Sequence, residues 1–141
     1  MGYINGRVRV LAKTIAPGSD NTTSYTEVVA LLPKNAYLLG TFGRVVTAFS
    51  GVSNAKVALG VSGDTDRYMV AQPINAVNEL IANASGVTGG KALLGVKSYC
   101  VGMNKEKIAS AKPIIATFTA TTFSTLTAGE VEFAIVFVDC N

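Results

Sequence analysis

The chain has 141 residues, of which 49% are apolar and 15% are charged, and its formal net charge is +3. This length suits one domain with a substantial core, and the scarcity of charge excludes an intrinsically disordered chain. Charged or glycine residues interrupt every apolar run within about ten residues, whereas a membrane-spanning helix needs about 20 apolar residues. We therefore expect one globular domain over residues 1–141, with its core from about 6 to 139, and no membrane partner.

The basic residues are dispersed along the sequence. The densest group is Lys105, Lys107 and Lys112, with Glu106 between its members. Nucleic-acid-binding proteins usually carry a concentrated basic patch. We therefore interpret this group as a solvated loop and expect no nucleic-acid partner.

Histidine is absent, and the two cysteines are Cys100 and Cys140. Without histidine the chain lacks the commonest general base and metal ligand, and a zinc site needs four ligands. We expect no metal, no cofactor and no histidine-dependent catalysis. Both cysteines lie in alternating apolar segments and are interpreted as buried thiols, although a disulfide stays open if their strands are neighbours.

Alternation of apolar and polar residues predicts β-strands along most of the chain. The predicted strands cover residues 7–13, 25–32, 38–49, 56–62, 67–71, 93–103, 114–121 and 130–138. Turn-forming residues separate many of them, at 17–21, 50–54, 62–66 and 127–129. Short strands with such turns favour an antiparallel β-sandwich or barrel. In the last strand one face changes from polar at Glu130 to apolar at Val138, so we expect the end of that strand to be covered on both sides.

One segment has helical spacing instead. Apolar residues in 73–84 recur three and four positions apart, Pro73 suits a first helical turn, and Gly86 suits a stop. The pattern predicts one short helix near residues 73–84, packed on the sheets. A glycine-rich loop follows at 86–91, and it lacks the first glycine and the hydroxyl residue of a phosphate-binding loop.

Two acidic groups could carry chemistry. Glu130 and Glu132 could serve a carboxylate-dependent hydrolase, but they lie two residues apart on one predicted strand, whereas glycosidase carboxylates face each other across a cleft. Asp64 and Asp66 begin an oxygen-rich sequence, but the twelfth position is Asn75 where a calcium loop needs glutamate. We interpret the first pair as a solvent-facing surface and the second as a turn, with no catalytic residues and no metal ligands.

Three stretches of sequence, in order, resemble small virion proteins of tailed bacteriophages. They are residues 32–39 (LPKNAYLL), 55–68 (AKVALGVSGDTDRY) and 126–138 (LTAGEVEFAIVFV). The resemblance implies a jelly-roll-like β-sandwich and a non-enzymatic role on the virion, assembled in the host cytoplasm. Such a protein would act as a capsid decoration, cement or head-fibre component, in contact with capsid or other virion proteins and with further copies of itself. A tail or collar component is the alternative location.

Loops are the expected contact regions, at 17–24, 51–54 and 86–91. The candidate contact residues are Asp20, Asn21, Asn54, Asp64, Asp66, Tyr68 and Lys91. A different class of function, a carbohydrate-binding receptor module, would place its ligand at Tyr37, Tyr68 and the 64–66 turn, because sugar sites often use aromatic platforms.

Overall fold

Nine β-strands form the described part of the chain. The computed structural model describes residues 6–82 and 106–139. The strands are β1 (Arg7–Ile15), β2 (Ser24–Leu32), β3 (Tyr37–Ser50), β4 (Lys56–Val61), β5 (Asp64–Pro73), β6 (Glu79–Leu80), β7 (Glu106–Lys107), β8 (Lys112–Thr119) and β9 (Ala128–Asp139). Seven of the predicted strand segments correspond to β1–β5, β8 and β9. The eighth, at 93–103, lies outside the described residues, as do Cys100 and Cys140.

The strands form two antiparallel sheets. Sheet A has the order β1-β9-β3-β6, with β7 also paired to β3, and sheet B has the order β2-β8-β4-β5. Without the two-residue β7, the eight remaining strands follow the orders 1-8-3-6 and 2-7-4-5. That arrangement is the jelly roll, a double-sheet fold built from two Greek keys. The predicted antiparallel β-sandwich is therefore confirmed.

The core lies between the two sheets. Alternate residues of β9 point inward, with Val131, Phe133 and Ile135 fully buried. From sheet B, the ring of Phe118 lies 5.9 Å from the Phe49 ring and 6.1 Å from the Tyr25 ring. The contact with Phe49 crosses the sandwich, whereas Tyr25 is the neighbour of Phe118 within sheet B. Packing between the two inner faces accounts for the apolar alternation in the sequence, because each strand gives one face to the core.

The helix predicted at 73–84 is wrong over the described residues 73–82. Pro73 ends β5, and the chain continues through a loop into the short strand β6. The backbone groups of this segment bond to other strands and loops: Ile74 N to Ala55 O at 3.0 Å, and Val45 N to Asn78 O at 2.8 Å. Val77 is 70% exposed, although a helix packed through its apolar face would bury it. Pairing with the rest of the sandwich outweighs the local periodicity.

Strand β1 presents two of its apolar residues, Val8 and Val10, to solvent. In the pairing of β1 with β9, Val10 lies opposite Val136 and Leu11 opposite Ile135. Successive residues of β1 point to opposite faces of sheet A. Val8 and Val10 therefore lie on its outer face, and Arg9 and Lys13 on its inner face. The cations are accommodated there because Arg9 pairs with Asp139 at 3.3 Å and Lys13 with Glu27 at 3.0 Å. Val8 is 66% exposed and Val10 59% exposed.

Candidate interaction surface

Four loops meet at one end of the sandwich, which we call the loop end. They are residues 16–23, 51–55, 74–78 and 120–127. The jelly-roll topology places these connections together, because each joins a strand of one sheet to a strand of the other at the same end. Backbone hydrogen bonds tie the loops to one another, including Phe123 N to Thr22 O at 2.9 Å and Thr121 N to Ser53 O at 3.2 Å.

Asn75 joins two of these loops through its side chain. Its amide nitrogen donates to the carbonyls of Phe49 at 3.1 Å and Val52 at 3.2 Å, and its amide oxygen accepts from Ala55 N at 3.2 Å. One side chain thus provides hydrogen-bond partners for three backbone groups, one at the end of β3 and two in the 51–55 loop. The sequence reasoning missed this role because Asn75 fell within the predicted helix.

Phe123 and Gly51 fix the shape of the same end. Phe123, in the 120–127 loop, is 1% exposed and belongs to the hydrophobic core. Gly51 has a φ of +81°, and a Cβ at that position would lie 2.1 Å from the Thr125 carbonyl oxygen. Glycine is therefore required both by the backbone conformation and by the close approach of the 120–127 loop.

The loop end is nearly uncharged. Asp20 is the one charged residue in the four loops, which are otherwise rich in serine, threonine and asparagine. The Asp20 carboxylate is occupied locally, because it accepts hydrogen bonds from the backbone nitrogen of Thr22 at 3.1 Å and from the Thr22 hydroxyl. A hollow of about 330 Å³ opens beside this turn, between residues 16–19 and 126–129.

Charged residues concentrate at the opposite end of the sandwich. They include Arg7, Lys34, Asp64, Asp66, Arg67, Lys107 and Asp139. There the β4–β5 hairpin turns at Gly63, whose φ is +85°, and Asp64 forms an ion pair of 3.6 Å with Arg67. The two ends of the molecule therefore differ in chemistry, one polar and neutral, the other charged.

The structure separates the seven predicted contact residues. Asp20, Asn21 and Asn54 lie together at the loop end, whereas Asp64 and Asp66 lie at the charged end. Tyr68, on the strand that follows the hairpin, is 1% exposed, so its ring offers no face for stacking against a sugar. Lys91, with the rest of the 86–91 loop, lies outside the described residues. The contact role of these residues stays a prediction.

The acidic pair of β9 lies on the outer face of sheet A. Glu132 forms an ion pair of 3.0 Å with Arg44, and Glu130 accepts a hydrogen bond of 3.1 Å from Thr47. Both partners are on the neighbouring strand β3, so the carboxylates take part in cross-strand contacts. They do not face each other across a cleft.

Within residues 6–82 and 106–139, no group of three or more Cys, Asp or Glu side chains is close enough to hold a metal ion. Over the same residues, no helix is long and apolar enough to cross a membrane.

Comparison with known proteins finds similarity in structure. No protein-family model matches the chain, and no curated protein matches it significantly in sequence. A chain of the capsid asymmetric unit of cyanophage Pam1 is similar, with a TM-score of 0.65 and 17% identity over 98% of this chain and 89% of that one. A chain of the acid-stable capsid of Helicobacter pylori bacteriophage KHP30 has a TM-score of 0.50 and 11% identity, covering 96% and 95%. These similarities show that the fold of this chain occurs among bacteriophage capsid structures.

Proposed function

We propose that the protein is a non-enzymatic structural component of a bacteriophage virion, of the capsid decoration or cement type, which docks on the particle through its loop end. The observation that carries the proposal is the similarity in fold to a chain of a phage capsid asymmetric unit, which extends over 98% of this chain. Three sequence stretches independently resemble small virion proteins. Fold alone assigns neither a function nor a docking surface. The docking surface is inferred from the distribution of charge and from the hydrogen bonds within the loops.

Charge distribution favours the loop end as the docking surface. The centre of a protein interface is depleted of charged residues, because a buried charge without a partner loses its hydration. The loop end has one charged residue, Asp20, whose carboxylate already accepts hydrogen bonds from Thr22. The opposite end would bring several charges into contact with any partner.

The internal bonding of the loops supports the same choice. Hydrogen bonds between the loops and from the Asn75 side chain fix their conformation before any partner arrives. A surface that is already ordered loses less conformational entropy on binding. Serine, threonine and asparagine side chains then offer hydrogen bonds to a neutral protein surface.

A binding experiment tests both the role and the surface. Particles of the encoding phage, produced without this gene, are mixed with purified protein, and the bound protein is measured by co-sedimentation. Asn21→Asp and Asn54→Asp introduce negative charge at the loop end; Asn54 has a φ of +56°, which aspartate tolerates. We expect the double variant to bind about tenfold or more weakly. Ser62→Asp, in the exposed turn at the opposite end, is the matched control and should bind as the wild type does.

Three outcomes would overturn parts of the proposal. Wild-type protein that binds no part of the particle would contradict the virion role, above all if it bound glycans on an array. Binding to tails or collars would contradict the decoration assignment. Binding lost by Ser62→Asp and kept by the double variant would place docking at the charged end.

A further inference from the structure

Two edge strands lie on one side of the sandwich, which we call the β1–β2 flank. Among the described strands, β1 pairs only with β9 and β2 only with β8. The β1–β9 pairing continues without a register shift from Arg7 to Ile15. Each edge therefore has backbone groups directed away from its own sheet, and such an edge is a template for pairing with another strand.

Exposed apolar residues accompany both edges. Val8 and Val10 are 66% and 59% exposed on the outer face of sheet A, and Val28 and Leu31 are 45% and 63% exposed on the outer face of sheet B. The other two strongly exposed large hydrophobic residues among those described, Val46 and Val77, lie on β3 and at the loop end. Apolar exposure is thus concentrated beside the β1–β2 flank.

The ion pair across this flank fixes the relative height of the two strands. The Lys13 ammonium lies 3.0 Å from the Glu27 carboxylate and donates to the Val28 carbonyl at 2.9 Å. Lys13 is therefore level with Val28, and β1 and β2 run in opposite directions. Val10 lies three residues before Lys13, and Leu31 lies three residues after Val28, so Val10 and Leu31 are at the same height along the strands.

We infer that the β1–β2 flank is an interface with a second copy of this chain, related by a twofold axis parallel to the strands. Rotation about this axis leaves the position of each residue along the strand direction unchanged. It places β1 of each protomer beside β2 of the other, in antiparallel orientation. Sheet A then continues into sheet B of the partner, and Val10 lies beside the partner's Leu31 on one outer face. Both free edges of both protomers are paired at once, as in a closed isologous dimer.

Charge identifies the occupant and its orientation. β1 carries Arg7, Arg9 and Lys13 and no acidic residue, whereas β2 carries Glu27 and no basic residue. A centred antiparallel pairing of β1 with a second β1 would place Arg9 opposite Lys13, and like charges directly opposite are destabilising. Pairing of β1 with the partner's β2 avoids that repulsion, because no residue of β2 is basic.

The Lys13 side chain limits the extent of the interface. Because its ammonium already caps the Val28 carbonyl, strand pairing would run from that level towards Arg7 and Leu32, away from the loop end. The inferred dimer therefore leaves the loop end free and does not depend on the proposed virion role.

Light scattering on a sizing column, over a range of concentrations, measures the assembly. We expect a dimer of the 14.6 kDa chain and a monomer for Val10→Lys or Leu31→Glu alone, at concentrations where the wild type is dimeric. An equimolar mixture of the two variants, one of them affinity-tagged, should form a mixed dimer, because one lysine then faces one glutamate and the second β1–β2 contact is unaltered. Val77→Lys, at the 70% exposed residue of the loop end, is the matched control and should stay dimeric.

Far-UV circular dichroism and the thermal transition establish that each variant is folded. A wild-type protein that is monomeric at every concentration would overturn the inference. An oligomer that persists in the Val10→Lys variant and in the Leu31→Glu variant would also overturn it. So would dissociation by Val77→Lys to the same extent, or a failure of the two folded variants to associate when they are mixed.

Discussion

At the scale of single residues, the ionic cluster inside the β1–β2 flank joins the two sheets where no backbone pairing does. The Glu27 carboxylate accepts a hydrogen bond from the Tyr25 hydroxyl and forms an ion pair with Lys13. The hydrogen bond from Tyr25, followed by the interaction with Lys13, lowers the pKa of Glu27 below its ordinary value of 4.5 despite partial burial. The same hydrogen bond is the main cause that raises the pKa of Tyr25 above 10.0.

Tyr25→Phe should lower the free energy of unfolding at pH 7 by about 1 kcal/mol or less. The ring packing on Phe118 is kept, and the loss comes from the hydrogen bond to the ionised carboxylate. Because the folded pKa of Glu27 is lowered, its contribution is complete above the unfolded pKa and is lost as the pH falls through the folded pKa. Urea denaturation at pH 7 and at pH 3 should therefore show a smaller difference between wild type and variant at pH 3.

Glu27→Gln completes a double-mutant cycle with Tyr25→Phe, which isolates the coupling between the two side chains. We expect favourable coupling at pH 7 that decreases in acid. Coupling of zero, or the same coupling at both pH values, would mean that the cluster does not stabilise the folded state through the Glu27 charge.

At the scale of elements, the segment after β5 shows why local periodicity misled the sequence analysis. Apolar residues at 74, 77, 80 and 81 match a helix, yet the chain buries Ile74 and Leu80 and exposes Val77. The decisive contacts reach beyond helical spacing: Phe49 N donates to Ile74 O at 2.9 Å, and the Gln72 side chain bonds to both backbone groups of Ile81. A single sequence does not display such partners.

Asn75→Ala distinguishes the two descriptions of this segment. In a helix the change would stabilise by a few tenths of a kcal/mol, because alanine has the higher helix propensity. In the observed loop it leaves three backbone groups without their partner and should cost about 1–3 kcal/mol. Chemical denaturation measures the difference, with Asn78→Ala as control, because within the described residues the Asn78 side chain donates only to the adjacent Glu79 carbonyl at 3.3 Å. Equal small effects of both variants would argue against the Asn75 contacts.

At the scale of the whole molecule, the sequence predicted the sandwich because alternation and turns report directly on strands with one buried face. It did not predict β6 and β7, which have two residues each and are held by β3. Nor did alternation decide which face of β1 is outward, since Arg9 forms an ion pair with Asp139 on the neighbouring strand β9, and Lys13 forms one with Glu27 across the flank. The grouping of Asp20, Asn21 and Asn54 at one end, and the burial of Tyr68, follow from topology and not from spacing.

If this jelly roll is a structural part of a phage particle, as we propose, it should be present on purified particles. Immunogold electron microscopy of purified particles of the encoding phage, with an antibody raised against the purified chain and a gene-deleted particle as control, tests it most directly. We expect regular labelling of the heads that disappears when the gene is deleted. Particles that carry no label, from a culture in which the protein is abundant and unassembled, would contradict it.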